Sequence, residues 1–497
     1  RIPRRSLMFM ILCLVLALSI AFPLATYADT EGGATDDSVW SQLMDGSVSG
    51  RARIYDYRHW NFENEPYPNQ RQDSNHDDQA TFLGGDVLLR SGSVAGFSAG
   101  LSVFTEQRLI PYAVPNSEVR PLNQLAESFL QFQKSIVQVR FGRQLLNTPF
   151  AAPDMFTAVP RSFYGLSVSL HVLDSHAPPP DTFDDRTPDG NPPGPFDTAV
   201  LLPFQADSKP GDPDLNIFLA RISRYESRFN NEFTDTNRYG PGLNAADPAI
   251  PPTTPGFFTA GAQYQHGLDA GDVMARAWFY QFFDYAAMQY YEGGFQWRSE
   301  GARPFVMAQY AHESDSGAAF AGSVDANVYG LQVGMNFASD TGGGDVALVG
   351  EWSPSSAGSF RNGGLLHPYT DFSAVLYDDT INDGLENLGP GHAYGIQGDV
   401  HLGRQLTLHG KWVHYVADYG TNGSLYDYSG PQHFAGNSLL NGQLVPDQSS
   451  NGIDIGFIWK FTDDKRGFSI GDDIGFRNGF GGRNTFKEDR LRLVYTF

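Results

Sequence analysis

Cysteine is all but missing. The single cysteine among 497 residues is Cys13, inside an apolar run near the start. A disulfide framework is therefore excluded, and a secreted chain of this size must be held by a core or by strand pairing. Basic residues are scarce as well, with 34 Lys and Arg against 56 Asp and Glu and a net charge of −22. No basic face is available to neutralise phosphates, which excludes nucleic acid as a partner. Beyond residue 22 no apolar run reaches the length of a membrane-spanning helix. Helical periodicity is rare too, and only residues 38–44 suggest a short helix.

The one long apolar run, Leu7 to Phe22, follows Arg1, Arg4 and Arg5 and leads to the small residues of Thr26-Tyr27-Ala28. A basic start, a short apolar core and a small-residue cleavage site describe a secretory signal peptide over residues 1–28. The run is about 16 residues, short of the ~20 that a membrane anchor needs. Lipidation at Cys13 does not fit, because Ile11 and Leu12 precede it where small residues are expected. Residues 29–46 are then expected to form a short periplasmic segment.

What the chain has in quantity is Gly (54), Phe (37) and Tyr (23), combined with a negative mean hydropathy. Its dominant pattern is alternation with period two. Gly50, Ala52 and Ile54 alternate with Arg51, Arg53 and Tyr55, and Leu166, Val168 and Leu170 alternate with Ser167, Ser169 and His171. Tyr329, Leu331, Val333, Met335 and Phe337 oppose Gln332 and Asn336, while Ile453, Ile455 and Phe457 oppose Asp454. In lipid every backbone polar group needs an internal partner, so only helices and closed barrels span. A barrel strand shows apolar side chains to lipid and polar ones to a wet lumen. The pattern predicts an all-β transmembrane antiparallel barrel over residues 47–497. The soluble alternative, a β-sandwich or propeller, fits poorly with Arg, Lys, Gln and Gly at mid-strand.

Counting alternating segments gives 18 strands. Long connections follow odd strands, near 56–80, 106–126, 144–162, 226–256, 353–392 and 417–451, as external loops should; short turns follow most even strands. Residues 174–214, rich in Pro and Asp, break this rule, marking either a missed strand pair or a periplasmic insertion. The chain closes on Leu491, Leu493, Tyr495 and Phe497, an aromatic-ended strand of the kind that barrel-assembly machinery recognises.

The stretch Val139-Arg140-Phe141-Gly142-Arg143-Gln144-Leu145-Leu146-Asn147-Thr148-Pro149, followed by residues 159–166, resembles the OprD family of outer-membrane porins. Tyr225–Asn230, Trp278–Tyr280 with Tyr290 and Tyr291, and Phe320–Asn327 are similar in order and spacing to further stretches of that family. Thr157 departs from it, standing where the family often has arginine, and residues 174–214 are longer than it leads one to expect. The resemblance implies an 18-stranded barrel in the bacterial outer membrane, surrounded by lipid, either monomeric or a homotrimer. It also implies an inward-folded third external loop that narrows the pore, here carrying Arg143, Asn147, Thr148, Asp154 and Arg161. Members of the family pass basic amino acids or small carboxylate-bearing molecules.

The alternation itself places Arg51, Arg53, Arg140, Arg276, Arg298, Lys411, Arg490 and Arg492 on polar faces. Such a basic ladder on a low-dielectric wall would steer a carboxylate. Asp154 in the loop, with Glu351, Asp399 and Asp454 on strands, would supply an opposing acidic wall. The competing reading is that these arginines pair with lumen carboxylates and hold the barrel in shape. The expected function is passive, substrate-selective diffusion of small polar solutes, without catalysis and without a cofactor.

Other functional classes fit particular residues less well. Gly96-Phe97-Ser98-Ala99-Gly100 matches the nucleophile-elbow pattern, but it begins a strand with no helix after it. His312 and Glu313 are adjacent on a strand, so their side chains leave on opposite faces and cannot share a metal. Asp73, Asn75 and Asp77 alternate as in a calcium loop, yet the glycine and closing glutamate are absent. An outer-membrane hydrolase remains the alternative from another class. An exporter of acidic polysaccharide would need a uniformly basic lumen, against Glu351, Asp399 and Asp454.

Overall fold

The computed structural model describes residues 39–60, 78–110, 121–153, 159–173, 213–228, 232–235, 254–339, 342–370, 376–381, 384–385, 390–418, 439–440, 443–444, 448–462, 466–478 and 486–497. The expected signal peptide, Asp154, Thr157, the Asp73–Asp77 stretch and nearly all of 174–214 lie outside these residues.

A short helix, α1 (Val39–Met44), leads into the strands β1 (Ser47–Trp60), β2 (Asp78–Arg90), β3 (Phe97–Ile110), β4 (Leu122–Lys134), β5 (Val137–Gln144) and β6 (Ser162–Leu173). The wall continues with β7 (Pro213–Glu226), β8 (Phe257–Leu268), β9 (Gly271–Phe282), β10 (Ala286–Trp297), β11 (Ala302–Asp315) and β12 (Asp325–Ser339). Next come β13 (Gly342–Ser353), β14 (Gly391–Leu402) and β15 (Leu406–Ala417), then a two-stranded ribbon outside the wall, β16 (Leu439–Leu440) and β17 (Gln443–Leu444). The wall ends with β18 (Gln448–Lys460), β19 (Gly467–Arg477) and β20 (Phe486–Thr496). Eighteen of these form one sheet, antiparallel throughout, that closes where β1 pairs with both β2 and β20. Every strand expected from alternation is present.

Closure is sealed at the last residue. Phe497 and Gly50 exchange both backbone hydrogen bonds, at 3.1 and 3.2 Å, one position from the Arg51–Thr496 pair. A Cβ on Gly50 would sit 2.7 Å from Cζ of Phe497 and 2.3 Å from the Asp86 carbonyl, so the seam needs glycine there. Strands β6 and β7 are hydrogen-bonded neighbours, which removes the option of a strand pair missed between them.

The two faces of the wall are inverted relative to a soluble protein. Large apolar side chains stand exposed outside, among them Leu130 at 65% and Leu348 at 62%, while arginines, carboxylates and glutamines are buried inside. Lipid, not water, suits that outer surface. Aromatic side chains ring it at both ends. Tyr291, Tyr310, Tyr329 and Trp352 form a run across β10–β13 with centroids 6.4, 4.9 and 5.4 Å apart. At the opposite edge Phe468 meets Tyr495 at 4.7 Å and Trp459 meets Phe461 at 5.3 Å. Amphipathic rings favour these interfacial levels.

Candidate functional site

Among the described residues, two connections fold into the lumen. The first, between β5 and β6, buries Leu145, Leu146, Phe150, Ala151 and Val159. Its Phe150 ring packs edge-on against Tyr280 at 5.8 Å and Tyr290 at 5.7 Å, on β9 and β10. The Phe150 N–H donates to the Tyr280 hydroxyl at 3.2 Å. Thr148 closes the loop tip on Ala151, donating from Oγ1 to the Ala151 carbonyl at 2.9 Å. Asn147 is half-buried beside it. Arg161 is buried at the return, with its N–H on the Pro153 carbonyl at 2.7 Å and its guanidinium 5.8 Å from the Tyr225 ring centre. The inward constriction loop expected from the resemblance is therefore present.

Arg143 does not belong to it. It shares the outer face of β5 with Phe141, donates to the Leu125 carbonyl at 3.2 Å and lies 4.3 Å from the Phe233 ring centre. Gln144 is the β5 residue that faces inward at that level.

The second inward connection, between β13 and β14, was expected to be a plain external loop. Instead it reaches across the lumen to strands from β7 to β18. Tyr369 packs on Phe257 at 4.6 Å, Tyr225 at 5.6 Å and Phe282 at 5.9 Å, against β7–β9. On either side of it, the N–H groups of Leu366, Tyr377 and Ile381 donate to Glu313 (2.6 Å), Glu351 (3.0 Å) and Asp454 (2.7 Å), on β11, β13 and β18. Tyr377 Oη donates to Glu292 at 2.7 Å. Burial pushes the hydroxyl pKa of Tyr369 and Tyr377 up, so both keep their protons and Tyr377 serves as a donor. No apolar motif announces this loop in sequence, because most of its anchors are backbone amides that every residue carries.

The lumen is consequently unequal. On the β6–β12 side the two loops and the wall share one apolar cluster, including Phe150, Phe163, Tyr285, Met288, Leu365 and Leu366. Charge concentrates elsewhere. Arg490 and Arg492 on β20 neighbour Arg51 and Arg53 on β1, with Tyr55 and Tyr57 beside them in register. Arg140 is buried on β5, separated from that group by Asp86 on β2 and Glu127 and Gln131 on β4. The basic stripe is thus a four-arginine patch across the seam plus one outlier.

Each of these cations meets an acid. Arg51 lies 2.7 Å and Arg53 3.6 Å from Asp86. Arg140 lies 3.7 Å from Glu127, donates to Gln131 at 2.8 Å and stacks on Phe129 at 3.9 Å. Arg490 pairs with Glu488, and Arg492 pairs with Asp473, which His409 also reaches at 2.7 Å. Arg276 pairs with Glu292 beneath Tyr377, away from the patch. Arg298 sits at the β10–β11 turn, 2.5 Å from Asp272.

The acidic wall is partly as expected. Glu351 and Asp454 come together under the β13–β14 loop with Asp378 and Asp379, and all four act on the Lys411 ammonium. Lys411 therefore stands within the acidic side and not in the basic patch, as its register partner Asp454 already requires. Asp399 lies apart from them, opposite Asp345 on β13 and His409 on β15. Among the described residues no group of three His, Cys, Asp or Glu is arranged to hold a metal ion. Residues 96–100 run straight into β3, without the strand-to-helix turn of a nucleophile elbow. His312 and Glu313 do leave on opposite faces, Glu313 inward.

Comparison with known proteins finds no matching family model and no matching curated relative. Solved structures do match. OccD3 (OpdP) of Pseudomonas aeruginosa aligns with a TM-score of 0.62 at 14% identity, over 92% of each chain. OpdK of P. aeruginosa, solved with vanillate, aligns at 0.63 and 12%, over 92% of this chain and 99% of its own. A BenF-like porin from Pseudomonas fluorescens Pf-5 gives 0.63 and 14% over the same shares. At such identities the likeness speaks for the fold, and the chain has the closed 18-stranded barrel of these porins, as its resemblance to the OprD family implied.

Proposed function

We propose that the protein is an outer-membrane porin that passes small polar solutes by diffusion and favours those bearing a carboxylate. The observation that carries this reading is the seam patch, where Arg51, Arg53, Arg490 and Arg492 crowd two adjacent strands on the lumen face. Positive charge on a low-dielectric wall raises the local concentration of anions and relays them. Opposite charge on Glu351, Asp378, Asp379 and Asp454 supplies a second wall for a solute's cationic end. Two of the similar barrels were solved with carboxylates, OpdK with vanillate and OccK2 (OpdF) with glucuronate. The lipid-suited outer face supports placement in the outer membrane, with the barrel-assembly machinery as the partner in insertion. Homotrimeric assembly is compatible with this reading and is carried by the resemblance alone.

The arginine pairs bear on mechanism. Guanidinium offers five N–H groups in a fixed fork, so pairing with one carboxylate does not use up an arginine's capacity as a cation. Pairing holds the forks in place, so the structural and transport roles are compatible. Single-channel recordings in planar bilayers, with amino acids, carboxylates, sugars and amides as blockers, test the proposal. Equal block by neutral sugars and by carboxylates of the same size would overturn the selectivity.

A further inference from the structure

Glu313 is buried completely on the inner face of β11, at 0% exposure. Its cross-strand neighbours are Met288 on β10 and Ala326 on β12. Around it lies the apolar cluster of Ala311, Ala326, Met288, Leu365 and Leu366. One carboxylate oxygen, Oε2, accepts the Leu366 N–H at 2.6 Å; the other, Oε1, is buried with no hydrogen-bond partner among the described residues. On β11 its titratable neighbours are His312, which leaves on the opposite face, and Asp315, two residues along; on the loop it is His367, whose Nδ1 is engaged by the Thr370 carbonyl at 2.9 Å. Burying a carboxylate among apolar side chains is unfavourable unless it does something there. The one thing it does is hold the β13–β14 loop.

We propose that Glu313 is the latch of the β13–β14 loop: a positioning residue whose single bond to the Leu366 N–H keeps the loop folded across the lumen. The other two wall acceptors work in different surroundings. Glu351 faces Gln309, Asp378 and Lys411, and Asp454 faces Lys411, Arg490 and Asp473. Those two also interact with charged groups on the wall, Lys411 for both and Arg490 and Asp473 for Asp454. Among the described residues Glu313 has no such charged contacts, and the contact that accounts for its burial is the one to the loop.

The latch is separable from the wall in two ways. Glu313→Leu removes the acceptor and places an apolar side chain among apolar neighbours. Leu366→Pro removes the donor and leaves the barrel untouched, with Leu366→Ala as the control that keeps the N–H. Glu313→Gln keeps an acceptor oxygen. The direct readout is hydrogen exchange at residues 363–370 of the purified full chain in detergent. E313L should speed exchange of the Leu366 amide up to roughly tenfold, the scale of one intramolecular hydrogen bond. E313Q should restore most of the protection.

Bilayer conductance is the second readout and rests on the porin reading. E313L and L366P should both raise the mean conductance and its open-level noise, and the double variant should go no further than either alone. Thermal melting of E313L should be unchanged or higher, because a buried acid has been replaced by a hydrocarbon. Unaltered exchange in E313L would overturn the latch, as would a conductance change in E313L that L366P does not reproduce. If the purified barrel conducts nothing while exchange still depends on Glu313, the latch stands and the porin reading falls.

Discussion

Ala151 and Tyr369 form an isolated parallel β-bridge, joining the tip of the β5–β6 loop to the middle of the β13–β14 loop inside the barrel. Both loops enter the lumen, and they meet there. The first reaches β9 and β10 through Phe150, the second reaches β7–β9 through Tyr369, and the bridge locks them into one layer. An 18-stranded wall encloses far more space than side chains alone can fill, so this layer, resting on an apolar cluster, divides the lumen, and on the proposed porin reading it decides where a solute passes.

Tyr369 is the keystone of that layer, and Tyr369→Ala should loosen it. Removing a buried aromatic side chain costs about 3–5 kcal/mol locally. The barrel should still insert and resist unfolding in detergent, since the strand ladder is untouched. Conductance should rise with larger open-level fluctuations. A conductance equal to that of the unaltered protein would mean that the layer does not limit the pore.

Tyr377 offers a finer test. Tyr377→Phe keeps the ring and deletes the hydroxyl that donates to Glu292 at 2.7 Å. Glu292 keeps Arg276 as its partner, so the loss should be that of one hydrogen bond to a charged group, about 1.5–3 kcal/mol. Exchange at residues 376–381 should quicken, while the β10 and β11 amides remain protected. Equal loosening of wall and loop would contradict the separation of the two.

The strands were legible because alternation repeats over the whole length of each, and a one-residue slip would turn every side chain to the wrong face. The same phase rule reaches single residues. Arg140 faces inward, so Arg143, three positions on, must face outward; the motif resemblance pulled it into the loop against its own alternation. Lys411 shows the limit of the rule. Its face was readable, but its neighbours Asp378 and Asp379 arrive from a loop whose path depends on amides and on Tyr369, and neither leaves a periodic trace.

The seam makes a prediction about assembly. Gly50→Val would place side-chain atoms where the Phe497 ring and the Asp86 carbonyl now stand. Closure of β1 on β20 should be delayed or lost, lowering the yield of heat-resistant barrel on semi-native gels. Val48→Ala, two positions back on the same face, should have little effect. Normal yield for G50V would show that the end of the seam tolerates displacement of Phe497.

Selectivity is tested at β20. Replacing Arg490 and Arg492 by Gln should lower carboxylate flux more than neutral-sugar flux, because half of the seam patch is lost and lumen substitutions tune selectivity. The confounder is structural: Arg492 pairs with Asp473, and Arg490 with Glu488, so the variant strands two buried acids. Breaking a buried pair from one side costs about 3–5 kcal/mol, and a loosened wall would change every flux. The control neutralises both sides. R490Q and R492Q combined with E488Q and D473N should recover most of the thermal stability, since both arginine–carboxylate pairs are neutralised together and only His409 loses its contact with Asp473. If the patch recruits carboxylates, their preference stays lost in this quadruple variant. If the arginines serve only to hold the acids, the preference returns along with the stability, and the transport role is wrong.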